Sequence, residues 1–186
     1  MSEDKGKSLM VNMEDYVCLD LETTGLNPNY HEIIDIGALR VRGGKPVVRF
    51  STLVKPDAWI PAAITNLTGI SNAMVEKAPP ITLVLPEFLD FLGDDVILGH
   101  NVCFDLGFLR FACRHYLGRD LPNDYIDTLR LARKLIPWEP HHRLSDLERL
   151  FCLKNECAHR ALSDARLTHH CYRAMMEQFG EDIPKY

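Results

Sequence analysis

The segment Tyr16-Val17-Cys18-Leu19-Asp20-Leu21-Glu22 alternates between two faces, as a strand does, and stops at the turn signal Thr23-Thr24-Gly25. Apolar runs over about 32–41 and 47–54 are joined through Gly43-Gly44, a pair suited to a hairpin. These three strands predict an antiparallel meander. Beyond them the pattern turns helical, with a short helix over 71–76 and a longer one over 81–92 interrupted at Pro86; Pro61, Pro79 and Pro80 punctuate the stretch. Residues 96–98 read as a short apolar strand, followed by the loop Gly99-His100-Asn101 and a helix over about 104–117. Tyr125-Ile126 is expected as a fifth strand, Asp127 opens another helix, and helices over 144–151 and 162–179 complete the chain. Three strands followed by alternating helices and strands imply an α/β fold, a mixed five-stranded sheet flanked by helices. With no internal repeat or interdomain linker, the expected organisation is a single domain over 15–180, a polar leader over 1–14 and a tail over 181–186.

Composition narrows the class. A chain of 186 residues, 46% hydrophobic and 25% charged, can bury one core and is neither disordered nor fibrous in character. The opening residues MSEDKGKSLMVNME hold no long apolar run, so no signal peptide or membrane span is expected there, and the setting is expected to be cytoplasmic. Cysteines 18, 103, 113, 152, 157 and 171 form no CxxC pair and no zinc spacing, which suggests free thiols packed as small hydrophobes. A net charge of −5 argues against a broad basic surface for duplex DNA. Any bound phosphate needs locally supplied positive charge, and metal ions can supply it.

The acids carry the chemistry. Along the first long strand Val17, Leu19 and Leu21 share one face while Cys18, Asp20 and Glu22 share the other. Two carboxylates this close repel and lose hydration unless a cation compensates; taken alone, the pair is equally consistent with exposed or arginine-paired acids. Asp105 heads the helical stripe Asp105, Phe108, Leu109, Ala112 and Tyr116, where a first-turn acid also complements the helix dipole. Asp164 heads a second such stripe with Leu167, Cys171, Ala174 and Met175. Two helix-start acids aimed at the sheet, together with two at the carboxyl end of a strand, predict a four-carboxylate cluster. All-oxygen ligands favour Mg²⁺ or Mn²⁺ over zinc. His159, five residues before Asp164, falls in a loop ahead of the helix and has the titration range of a general base. By contrast, Asp127-Thr128 reads as a helix cap, His141-His142 as loop and His169-His170 as part of the last helix.

The motifs Asp20-Leu21-Glu22-Thr23-Thr24-Gly25-Leu26, His100-Asn101-Val102-Cys103-Phe104-Asp105 and His159-Arg160-Ala161-Leu162-Ser163-Asp164 together resemble the DEDDh branch of the DnaQ-like 3′-to-5′ exonucleases, which includes the proofreading subunit of bacterial replicative polymerase. The resemblance spans about 15–177. It implies a ribonuclease H-like fold, two metal ions held by Asp20, Glu22, Asp105 and Asp164, and His159 activating the attacking water. It also implies that Thr23, Thr24 and Leu26 line the pocket for the terminal nucleotide, and that Asn101 and Phe104 line the adjoining strand path. The implied substrate is the 3′ end of single-stranded DNA, in replication or repair, and the implied partner is a DNA polymerase subunit. Similar motifs occur in exoribonucleases that trim RNA ends, and no local residue reports tolerance of a 2′-hydroxyl. A non-catalytic nucleic-acid- or polymerase-binding module is the rival of another class, and the intact five-residue set speaks against it.

Overall fold

A computed structural model of the protein describes residues 6–154 and 159–185. It begins with a two-residue strand, Ser8–Leu9 (β1), followed by Tyr16–Thr23 (β2), Ile33–Arg42 (β3) and Lys45–Leu53 (β4). Short helices Ala62–Thr68 (α1) and Asn72–Val75 (α2) lead to Ile81–Leu92 (α3), Ile97–Gly99 (β5) and Cys103–Leu117 (α4). Tyr125–Asp127 (β6), Thr128–Leu135 (α5), Leu144–Leu150 (α6) and Ala161–Phe179 (α7) complete the regular elements before a single 3₁₀ turn.

The strands form one mixed sheet in the order β1-β6-β5-β2-β3-β4. β2, β3 and β4 are antiparallel neighbours, as expected of the meander, whereas β5, β6 and β1 run parallel to β2. The expected strand count of five is corrected to six among the described residues. The extra strand pairs Ser8 with Tyr125 and Leu9 with Ile126, and it comes from the segment read as leader. A two-residue strand carries too little alternation to be seen as a pattern. The segment read as tail also packs: Ile183 is buried, and Asn12 N–H donates to the Pro184 carbonyl at 2.7 Å.

Alternation along β2 sorts the interior into two layers. Val17, Leu19 and Leu21 pack with Leu85 and Phe88 of α3 and Leu106 and Leu109 of α4. Tyr16 and Cys18 pack with Leu131 of α5, Leu147 of α6 and Cys171, Tyr172 and Met175 of α7. The helix over 81–92 was expected to break at Pro86 but runs through it. Its stripe Val84, Leu85, Phe88, Leu89 and Leu92 is buried, and that burial outweighs one lost backbone hydrogen bond. The unexpected helix α1 carries its own signals: Pro61 precedes it, and Gly69 closes it at φ 72, its N–H bonded to the Thr65 carbonyl. Among the cysteines, 18, 113 and 171 are buried as expected, but Cys103 and Cys152 are exposed; Cys157 lies outside the described residues. No described helix is long and apolar enough to cross a membrane.

Because β2, β5 and β6 are parallel, their carboxyl ends at Thr23, Gly99 and Asp127 lie on one edge of the sheet. In open α/β sheets that edge is where ligands are held.

Candidate active site

Asp20 and Glu22 stand at the carboxyl end of β2 on the face that packs against α7. Asp105 comes from the opposite helical layer. It sits in the first turn of α4, is 4% exposed, and accepts a hydrogen bond from the Leu21 N–H at 3.0 Å. The helix therefore delivers its acid to the strand end through the backbone between the two strand acids.

Asp164 lies in the first turn of α7. Its delivery depends on a glycine: Gly37 is the register partner of Asp20, and a Cβ built there meets the Leu162 nitrogen at 2.0 Å. Only a residue without a side chain lets the first turn of α7 press onto β3 beside Asp20. The Cys18 thiol, one residue before Asp20, donates to the Ala165 carbonyl at 3.1 Å and fastens the same contact.

His159 is exposed and adopts φ 60, a left-handed conformation that costs a non-glycine residue about 1–3 kcal/mol. Its backbone N–H donates to Asp164 Oδ2 at 3.0 Å. The adjoining Arg160 donates from Nε to Asp35 Oδ2 at 3.0 Å, and Asp35, 2% exposed, is buried on β3 opposite Glu22. The loop is thus tied to α7 on one side and to the sheet on the other. Ligand atoms of Glu22, His159 and Asp164 all lie within 4.8 Å of one another.

Burial is the main reason these carboxyls resist ionisation, and their neighbours add to it. It raises Asp20 well above its usual range, with Asp105, Asp164 and Glu22 adding to the rise. Glu22 is pushed up to about 7 by burial, then by Asp164 and Asp35. Asp105 is pushed up to about 8 by burial, against the pull of backbone N–H groups. Burial raises Asp35 too, partly offset by Arg160. Such a cluster demands positive charge, and the nearby guanidinium of Arg160 is already bonded to Asp35. Among the described residues, Glu22, Asp164 and His159 are close enough to share one divalent cation, and a cation there would relieve the repulsion among the acids.

Of the residues expected to line a substrate pocket, Leu26 is 83% exposed, beyond a turn in which Gly25 packs against the His31 ring. Thr23 and Thr24 are buried and build that turn. The Thr23 hydroxyl donates to the Gly25 carbonyl at 2.7 Å, and the Thr24 hydroxyl accepts from the Glu32 N–H at 2.9 Å. Asn101 is exposed at φ 57, its N–H donating to Asp127 Oδ1 at 2.9 Å. Phe104 is half-buried with its ring 5.1 Å from that of Phe108. Asp127 also caps α5 through the Leu129 N–H, as expected. Asp35, Gly37 and Arg160 were not singled out in advance. The signal for the first two was an acid and a glycine inside the apolar run Ile33-Ile34-Asp35-Ile36-Gly37-Ala38-Leu39.

Comparison with known proteins places this geometry. The model of the RNase T family, described as exonuclease, matches residues 17–172. The DNA polymerase III subunit epsilon of Aquifex aeolicus is 40% identical over 179 residues, 95% of this chain and 89% of that protein. The PolC-type DNA polymerase III of Thermotoga maritima is 43% identical over 162 residues, 87% of this chain but 12% of that much longer protein. Among solved structures, exonuclease X in complex with 5′-overhanging duplex DNA superposes with a TM-score of 0.74 at 28% identity, over 92% of this chain and 95% of that one.

Proposed function

We propose, from the premise that this chain belongs to the RNase T exonuclease family and is a hydrolase of phosphodiester bonds, that it removes nucleotides from the 3′ end of single-stranded DNA and releases nucleoside 5′-monophosphates. The observation that carries this reading is the convergence of Asp20, Glu22, Asp105 and Asp164 with His159 at the carboxyl end of β2.

Enzymes of this fold use divalent ions, and two of them, Mg²⁺ or Mn²⁺, fit the four carboxylates. When bound, such ions lower the pKa of a coordinated water and offset charge gathering on the phosphoryl oxygens. Asp20, Glu22, Asp105 and Asp164 would hold them. His159, exposed on its loop, takes the proton from the attacking water as the new P–O bond forms. The P–O bond to the penultimate 3′ oxygen breaks with its electron pair staying on that oxygen, which takes a proton from solvent water and remains as the 3′-hydroxyl of the shortened strand. Leu26 wedges against the terminal base, the Thr23–Thr24 turn presents backbone to its sugar, and Asn101 and Phe104 border the strand path.

Similarity to a polymerase III epsilon subunit supports DNA as the substrate and a proofreading place beside a DNA polymerase. Free buried thiols suit a cytoplasmic setting. The test is digestion of matched DNA and RNA strands labelled at the 5′ end, with Mn²⁺ or with chelator, alongside His159→Ala. The expected result is a DNA ladder shortening from the 3′ side only with metal. His159→Ala should lower kcat by about 10²- to 10⁴-fold. Internal cuts or an inert protein count against the proposal, and faster turnover of RNA reassigns the substrate.

A further inference from the structure

A groove of about 610 Å³ opens beside the catalytic cluster, between α5 and the start of α6. Asn101 forms one wall, Arg133 stands on α5, and Pro140, His141, His142 and Arg143 form the other side. No aspartate or glutamate lines it, although the chain as a whole carries a net charge of −5. Among the described residues, neither Arg133 nor Arg143 is ion-paired with a carboxylate. Both are exposed.

The groove is built on a fixed floor. Asp127 Oδ1 accepts from both the Asn101 and Leu129 N–H groups, at 2.9 Å each, and Asp146 accepts from the Arg143 N–H at 2.9 Å and pairs with Arg149, so both nearby carboxylates are committed elsewhere than to the arginine side chains of the groove. His100 Nδ1 lies 3.0 Å from the Thr128 hydroxyl, which donates to the Gly99 carbonyl at 3.2 Å. His142 Nε2 lies 3.1 Å from the Ile136 carbonyl and holds the loop after α5 in place. Gly99 and Asp127 end β5 and β6 on the same sheet edge as the catalytic acids, and β6 is two strand spacings, about 10 Å, from β2. Exposed arginines without a carboxylate partner, in a groove at that edge of the sheet, suit a chain of phosphates that continues past the reacting end.

We infer that this groove is a polyanion track that takes the phosphodiester backbone of the nucleic-acid strand adjoining its 3′ end, with Arg133 and Arg143 each meeting a phosphate. The inference deepens the exonuclease reading above and rests on it for the identity of the strand.

The experiment compares the wild-type protein with Arg133→Gln/Arg143→Gln and with Arg133→Lys/Arg143→Lys. Affinity for a fluorescent single-stranded oligonucleotide is measured in chelator across a salt series. Turnover with Mn²⁺ is then measured on the oligonucleotide and on the p-nitrophenyl ester of thymidine 5′-monophosphate, which is too small to reach the groove. Loss of two phosphate contacts should flatten the log–log salt slope by about 1.4 and weaken binding by roughly tenfold or more at 0.1 M salt. KM for the oligonucleotide should rise to match while kcat and ester turnover stay within about twofold, and the lysine pair should restore the slope. An unchanged slope and KM overturn the inference, as does an equal loss on ester and oligonucleotide. Binding in chelator needs no turnover. A wild-type protein that holds DNA through these arginines and cleaves nothing would therefore sink the exonuclease reading and leave the groove standing.

Discussion

Glu22→Gln separates the penalty of an ionised carboxylate in the site from the loss of a metal ligand. Burial, Asp164 and Asp35 raise the Glu22 carboxyl from an ordinary 4.5 to about 7. Between those values the folded protein keeps a proton that the unfolded chain has already released, so stability falls as pH rises through the window, and the full deficit is present above 7. At about 1.4 kcal/mol per pH unit, the deficit is about 3 kcal/mol. Glutamine matches the protonated acid in shape and cannot ionise. In chelator at pH 5 the two proteins should melt within a degree or two of each other; at pH 8 the variant should melt about 6–12 °C higher. The buried rings of His100 and His169, pushed down to about 4, make both proteins more stable as pH rises from 4 to 6.5, and this common effect cancels in the difference. With saturating Mn²⁺ the order at pH 8 should invert, because the wild type regains its cation and the variant has lost a ligand. Paired thermal melts from pH 5 to 8, with and without Mn²⁺, read all of this. A difference that stays flat with pH in chelator, or a variant less stable than wild type at pH 8 without metal, refutes the reasoning.

Three further outcomes follow from the same geometry. Gly37→Ala places a methyl against the Leu162 backbone and should cost about 1–3 kcal/mol or more in denaturant titrations, while Mn²⁺ affinity by calorimetry falls as Asp164 is displaced. Asp35→Asn removes the charged anchor of Arg160, so kcat should fall more than KM rises; because burial raises the Asp35 carboxyl more than Arg160 lowers it, the variant's melting point relative to wild type in chelator should improve as pH rises. Leu26→Ala touches an exposed side chain, so its melting curve should move by no more than about 0.5 kcal/mol equivalent while KM for a 3′ end rises.

Much of this site was legible because strand and helix periods are local properties. A period of two put Asp20 and Glu22 on one face of β2, and a helical stripe put an acid at the start of both α4 and α7. What periodicity could not reveal is non-local. The β1–β6 pairing joins segments more than a hundred residues apart, and the partnership of Asp35 with Arg160 spans 125. The threonines after Glu22 show the limit differently. Their residue types suited a pocket, but both are buried and each hydroxyl already holds a backbone partner, Gly25 for Thr23 and Glu32 for Thr24. Pro86 shows it a third way, since a local helix breaker yields when five residues of its helix are buried.

The arrangement also explains why the acids had to come from both helical layers. Glu22 and Asp20 point toward α7, so α7 alone could complete only one side of a cluster at the strand end. Asp105 reaches the same point from α4 by bonding the Leu21 N–H, which faces neither layer because it lies in the plane of the sheet. The Val17 N–H donates to the Val96 carbonyl, so by strand alternation the Leu21 N–H also faces β5, beyond Cys18, the last β2 residue that β5 pairs. The early end of the β2–β5 ladder is therefore part of the site. It frees backbone for an acid from the far side of the sheet, while Gly37 admits an acid from the near side, and the two approaches meet at Asp20.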